Sequence, residues 1–219
     1  MLRDISIRRS ISEASNRNME NKRKRICITG YGSFGGFDVN PAQVIVRNLS
    51  QYEFPSTLDV TTEIIEVSYN SANECSTKLC ECTKPDFIVH VGVNGYLCDG
   101  IDLETQAYSH GYVSADVNGK VPFLNRSIVE LKNEEPRILK TILDCESITK
   151  VADKLFPEIE VGTSTNPGRF LCGYIYYLSL AKSNGRAVFI HVSRFSEEAT
   201  EEMMTETVAE IIRLISKQI

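Results

Sequence analysis

The chain has 219 residues, 42% of them hydrophobic and 24% charged, enough to bury a sizeable core and best read as one compact domain. No window approaches the roughly 20 uninterrupted apolar residues of a membrane-spanning helix, and the balanced charge argues against wholesale disorder. The formal net charge of -5 hides an asymmetry, because residues 1–25 carry eight Lys and Arg against Asp4, Glu13 and Glu20 and leave the remainder at -10. An acidic body is a poor surface for nucleic acid, whose affinity rests on neutralised phosphates. Seven cysteines, an odd number with no hydrophobic signal segment before them, point to a reducing, cytoplasmic setting and not to a disulfide framework.

Residues 1–25 are polar, rich in Ser, Asn and Arg, and end in Lys22-Arg23-Lys24-Arg25. They are expected to form a disordered basic leader, with a targeting presequence as the other option. The folded domain is then 26–219. It opens with the strand Ile26-Cys27-Ile28-Thr29 and a glycine-rich turn, and Asn40 followed by Pro41 marks a helix start, an acceptor at the cap and a first residue whose missing N–H costs nothing. Further strands are predicted over 59–67, 87–92, 101–108, 159–162 and 186–192. Helices are predicted over 70–82, 147–156, 168–183 and 197–217. In the last of these Met204, Val208, Ile211 and Ile215 form one apolar stripe suited to packing on a sheet. Strands alternating with helices predict an α/β fold with a mostly parallel or mixed sheet covered on both faces, where sites collect at the carboxyl ends of strands. The stretch 111–133 lacks periodicity and reads as a loop or lid.

Residues Gly30-Tyr31-Gly32-Ser33-Phe34-Gly35 spell GxGxxG after a strand, the pattern of a dinucleotide-binding oxidoreductase. The helix signal arrives only at Asn40-Pro41, too late to present a helix N-terminus to a pyrophosphate. Tyr31, Phe34 and Phe37 would instead line a pocket with flat apolar walls, suited to a small neutral ring, and a purely structural turn stays open. The three histidines, His90, His110 and His191, lack metal-site spacing with Cys80, Cys82 and Cys98. Cys172 is different. The turn Asn166-Pro167-Gly168-Arg169 places it near a helix start, where unpaired N–H groups and the helix dipole favour a thiolate and an oxyanion beside it. His191 closes a strand. Glu104 alternates with Leu103 and Ile101 and could orient an imidazole or face solvent.

Taken together, these segments resemble the pyroglutamyl peptidase I (pyrrolidone-carboxylate peptidase) family of cysteine peptidases. Thr29 to Gly36 with Asn40-Pro41 is similar to the family's TGFxPFGG…NP segment, and Val91-Gly92-Val93-Asn94-Gly95 to its glycine turn. Pro167-Gly168-Arg169-Phe170-Leu171-Cys172 resembles the nucleophile block AGRYLC, with Tyr176-Tyr177-Leu178-Ser179-Leu180 after it, and Phe189-Ile190-His191-Val192 resembles FxHV. The resemblance implies a three-layer α/β/α sandwich of the phosphorylase/hydrolase-like kind over residues 26–215. It further implies Cys172 as nucleophile, His191 as base and acid, Glu104 as the residue orienting the imidazole, and Tyr31, Phe34, Phe170 and Asn40 as the seat of a pyrrolidone ring. Val93 departs from the Gln of many bacterial members, Pro167 from the usual Ala, Ser193 from a frequent Pro, and Tyr31 from the commoner Phe, adding a hydroxyl that needs a partner if buried.

The activity so implied is hydrolytic removal of an N-terminal pyroglutamyl residue from a peptide through a thioester acyl-enzyme, with no metal or organic cofactor. The partners expected are pyroglutamyl peptides, not nucleic acid or membrane, and the oligomeric state is not legible. A catalytically silent binding module on the same fold is the alternative.

Overall fold

The computed structural model describes residues 23–35, 39–132 and 135–219. The expected leader lies outside the described residues as far as residue 22, as does Phe37. Strand β1 (Lys24–Tyr31) begins two residues before the expected domain boundary. Lys24 and Arg25 belong to its ladder, paired with Leu58 and Asp59. In chain order there follow α1 (Pro41–Leu49), β2 (Leu58–Ile65), α2 (Tyr69–Thr77), a wide π-type turn Lys78–Thr83, β3 (Phe87–Val93), β4 (Gly100–Glu104) and β5 (Gln106–Tyr108). After two short 3-10 turns come β6 (Ile138–Lys140), α3 (Cys145–Leu155), β7 (Glu160–Ser164), α4 (Leu171–Ser183), β8 (Ala187–Val192) and α5 (Glu201–Gln218).

The main sheet has six strands in the order β2-β1-β3-β8-β4-β7. All neighbours are parallel except β4 against β8. The strands of its centre are buried on both faces, which is why Phe87 to Val91 and Ala187 to Val192 read as apolar runs broken only by His90 and His191, and not as alternation. On one face α1, α3 and α5 bury Ile45, Ile148, Val208 and Ile211 against Ile28, Val89 and Ile190. On the other, α2 and α4 pack on Tyr31, Ile88 and Phe189. Two helical layers around one sheet make the three-layer α/β/α sandwich expected from the sequence.

Two predicted elements differ in the structure. The strand expected over 101–108 breaks at Thr105, whose N–H and hydroxyl both donate to the Ser164 carbonyl, at 2.8 and 3.0 Å. The chain then leaves the sheet, and β5 pairs with the unpredicted β6 to form a separate two-stranded ribbon over α4. Helix α4 begins at Leu171 and not at 168 because Gly168 takes φ +77°, a left-handed conformation that ends any helical run through it. That ribbon and the 111–132 segment cover α4, and its side chains from Leu171 to Leu180 are buried with the exception of Cys172.

Candidate active site

The carboxyl ends of β1, β3 and β8 lie along one edge of the sheet and carry Tyr31, Val93 and His191. His191 pairs laterally with Gly92 of β3 and with Asp102 of β4. Glu104, two residues beyond Asp102 on the antiparallel β4, therefore sits diagonally from His191 on the same face. Its Oε1 lies 2.7 Å from His191 Nδ1, with both side chains buried. The other side of the imidazole meets the Cys172 thiol. Burial works against the charged imidazole, but hydrogen bonds and charge attraction from Cys172 and Glu104 outweigh it and raise the His191 pKa to about 9.

Gly92 makes this contact possible. A Cβ there would stand 2.6 Å from the Phe189 ring and 3.3 Å from Cys172 Sγ, so only hydrogen leaves room for the thiol beside the imidazole. Cys172 is the second residue of α4. Asn40, Ser68, Asp144 and Thr200 cap the other α-helices with side-chain acceptors, whereas Phe170 at the cap of α4 supplies none. The first N–H groups of α4 thus have no acceptor one turn earlier and no side chain over them, which leaves donors for an oxyanion beside Cys172. Gly173 holds this start in place, because a Cβ on it would lie 2.3 Å from the Gly168 carbonyl oxygen.

Beside the thiol, Tyr31, Phe34, Asn40 and Phe170 meet Val67, Val93, Leu171 and Cys172 around one cleft. All four side chains expected to seat a ring are thus brought together with Cys172. The cleft holds about 20 Å³ of open space, room for little more than one water where a water takes about 10–15 Å³. Phe34, Val93, Phe170 and Cys172 are its half-buried members. The Tyr31 hydroxyl finds the partner it needs in the Leu171 carbonyl at 3.0 Å, and burial holds its pKa well above the ordinary value so that it stays a donor. Asn40 is partly committed. Its Oδ1 accepts from Ala42 N–H and its Nδ2 donates to the Gly32 carbonyl, both at 3.0 Å, leaving the second Nδ2 hydrogen for a ligand.

The GxGxxG segment serves packing. A Cβ at Gly30 would press on Val46 at 2.9 Å and on the Ala42 carbonyl at 3.0 Å, so α1 lies directly on β1. The N-terminus of that helix is capped by Asn40. His90 is a satisfied core residue between Thr29 and Ser179, at 2.6 and 2.8 Å. Sequence reasoning missed Val67 and Leu171 as walls and Asp102 as a second carboxyl near the pair. The alternation of Asp102 with Glu104 was the available sign for the last of these. Burial, then the charge of Glu104, raises the Asp102 pKa.

A family model described as "Putative pyroglutamyl peptidase PgaPase_1" matches residues 11–196, reaching into the segment expected to be a leader. Pyroglutamyl-peptidase 1 of Homo sapiens is 29% identical over 194 residues, 89% of this chain and 90% of that protein. The pyrrolidone-carboxylate peptidase of Pyrococcus furiosus is 27% identical over 188 residues, covering 82% and 85% of the two chains. Among solved structures, the pyrrolidone carboxyl peptidase of Fervidobacterium islandicum AW-1 superimposes with a TM-score of 0.77 at 26% identity, covering 89% of this chain and 99% of that one. The family match, the fold and the grouping of thiol, imidazole and carboxylate agree: the chain belongs to the pyroglutamyl peptidase family PgaPase_1.

Proposed function

We propose that the chain is a cysteine exopeptidase that removes N-terminal pyroglutamyl residues from peptides through a thioester acyl-enzyme. The observation that carries this reading is one imidazole held between the Glu104 carboxylate, at 2.7 Å, and the Cys172 thiol at an uncapped helix start. The lactam ring lies between Tyr31, Phe34 and Phe170, and Asn40 offers its remaining amide hydrogen to the ring carbonyl. A neutral ring of this kind needs no carboxylate to receive an α-amino group, and none lines the cleft among the described residues.

The Cys172 thiolate attacks the carbonyl that joins the ring to the second residue, and the N–H groups at the start of α4 receive the negative charge on oxygen. Protonated His191 gives its proton to the departing amine, so the C–N bond breaks and a thioester remains. Neutral His191 then takes a proton from water, hydroxide adds to the thioester, and the thiol leaves with the proton restored. Glu104 holds the ring by Nδ1 throughout and favours its charged state. All seven cysteines are free, in keeping with a reducing cytoplasm where a thiol nucleophile survives.

The test is release of a fluorophore from a pyroglutamyl amide under reducing conditions, beside a prolyl amide and the variant Cys172→Ala. Turnover of the pyroglutamyl amide alone, lost in the variant, is expected, and an acid-quenched sample should carry one pyroglutamyl group on Cys172 by mass spectrometry. Folded protein that turns over neither amide would overturn the reading.

A further inference from the structure

The ring cleft accounts for one residue of a peptide, and the order of the strands says where the next one goes. Tyr31 and Val93, the cleft members that belong to the sheet, stand at the ends of β1 and β3. His191 follows on β8, and beyond it come β4 and β7. In the proposed mechanism His191 protonates the departing amine, and a trans peptide bond sets the ring residue and its successor on opposite sides of that bond. The second residue is therefore carried past His191 toward β4 and β7.

Asp102 is the charged side chain beside His191 on that path. It stands directly across from His191 in the antiparallel ladder, where Cα atoms lie about 4.5 to 5.5 Å apart, and on the same face of the sheet. Its neighbour on the far side is Gly162 of β7, where a Cβ would lie 3.1 Å from Asp102 Oδ1. The glycine leaves that flank of the carboxylate uncovered. Asp102 is half-buried and makes no hydrogen bond among the described residues. The charged groups acting on it are Glu104, His191 and the exposed Glu160. Burial and the two other carboxylates disfavour its charge, His191 favours it, and the sum raises its pKa. Such a carboxylate costs the fold stability with no bond in return, the mark of a group kept for a ligand. Glu104 deepens the negative field, since its Oε2 is buried with no hydrogen-bond partner among the described residues.

We infer that Asp102 is a specificity-determining residue, the acceptor of a cationic side chain on the residue that follows the pyroglutamyl ring. The preferred substrates are then pyroglutamyl peptides with Lys or Arg in second place. The carboxylate attracts an ammonium or guanidinium there and repels Asp or Glu in the same position. The inference rests on the peptidase reading above, since it names the class of peptide that the same site cleaves.

Two pyroglutamyl tripeptide amides, identical except for Lys or Glu in second place, test it beside the pyroglutamyl fluorophore amide, which has no second residue. Specificity is read as kcat/KM for each peptide divided by that for the fluorophore amide, which cancels any general loss in a variant. At low salt the Lys peptide is expected to lead the Glu peptide by roughly threefold or more, mostly through KM, and the lead should shrink with added salt. In Asp102→Asn and Asp102→Ser the lead should fall below threefold, while Tm stays level or rises because a disfavoured charge is gone. A wild-type lead below threefold, or one that survives in both variants, overturns the assignment. A loss shared equally by all three substrates, with the lead intact, overturns it too and makes Asp102 a support for the catalytic pair. Variants that melt lower or fail to fold would show that Asp102 serves the fold. Failure of the wild type to turn over the fluorophore amide would instead overturn the peptidase reading itself.

Discussion

At His191 two neighbours compete with burial. Burial favours the neutral ring, Cys172 and Glu104 favour the imidazolium, and the result is a pKa raised to about 9. The raised value keeps through neutral pH the proton that the proposed mechanism gives to the leaving amine, and that proton is lost as pH rises through about 9. Turnover of the pyroglutamyl amide should therefore fall on the alkaline side near pH 9. In Glu104→Gln the charge that supports the imidazolium is gone, and the alkaline limb of kcat/KM should move lower by about 1 to 3 pH units, with kcat reduced. An unmoved limb would show that Glu104 does not set the charge of the ring. Gly92 makes a second residue-scale prediction. In Gly92→Ala the new methyl meets the Phe189 ring at 2.6 Å and Cys172 Sγ at 3.3 Å, so the thiol is pushed from the imidazole. The alkylation rate of Cys172 by iodoacetamide and kcat should fall together, by about 10²-fold where a reacting atom is misplaced by about 1 Å.

On the proposed mechanism helix α4 is the element on which the chemistry depends, because one short segment would supply both the nucleophile and the oxyanion donors. Gly173→Ala drives a methyl against the Gly168 carbonyl oxygen, 2.3 Å from the position its Cβ must take, and the 166–170 turn has to move. Donors displaced from the oxyanion lose about 2.7 to 4 kcal/mol of transition-state stabilisation each. The variant should therefore lose about 10² to 10³ in kcat with KM for the amide little changed, and a loss confined to KM would contradict the assignment. The start of this helix also marks the limit of what local sequence shows. Pro167-Gly168 announces a turn, but whether the helix opens at 168 or 171 depends on the sign of one φ angle, which the residue types leave free. The break of β4 at Thr105 was hidden for a related reason. Thr105 suits a strand, and only its two bonds to Ser164, 59 residues away, take the chain out of the sheet. Strong periodic segments such as α5 and the buried runs of β3 and β8 were legible because burial sets their pattern. Cys172 and His191 could be suspected from their places at element ends. Glu104 carried a weaker local sign, since a carboxylate in an alternating strand can orient an imidazole or face solvent; the orienting role is what the resemblance implies, and the 2.7 Å contact with His191 supports it. Val67 and Leu171 were illegible as walls because apolar residues carry no local sign of which cavity they face.

Across the whole molecule, two histidines with opposite shifts shape how stability depends on pH. His90, fully buried between Thr29 and Ser179, has its pKa lowered by burial to about 3. Below the unfolded value near 6.5, the unfolded chain binds a proton that the folded protein refuses, so stability is lost as pH falls from 6.5 toward 3. His191 does the reverse. Its folded pKa of about 9 exceeds 6.5, so its contribution is full below 6.5 and is lost as pH rises from there through 9. Each proton contributes a slope of about 1.4 kcal/mol per pH unit. The two limbs meet near pH 6.5, where stability should be greatest. Above pH 9 the buried thiols of Cys75 and Cys145, both raised to about 12 by burial first of all, stay protonated while their unfolded counterparts ionise. The alkaline slope should then steepen to about twice its earlier value. Denaturant unfolding at intervals from pH 4.5 to 10 measures this curve. His90→Asn should lower the whole curve and flatten its acid limb, whereas Glu104→Gln should flatten the limb between 6.5 and 9 and leave the acid limb intact. A maximum well above pH 8, or an acid limb that persists without His90, would mean that other groups govern the stability of this fold.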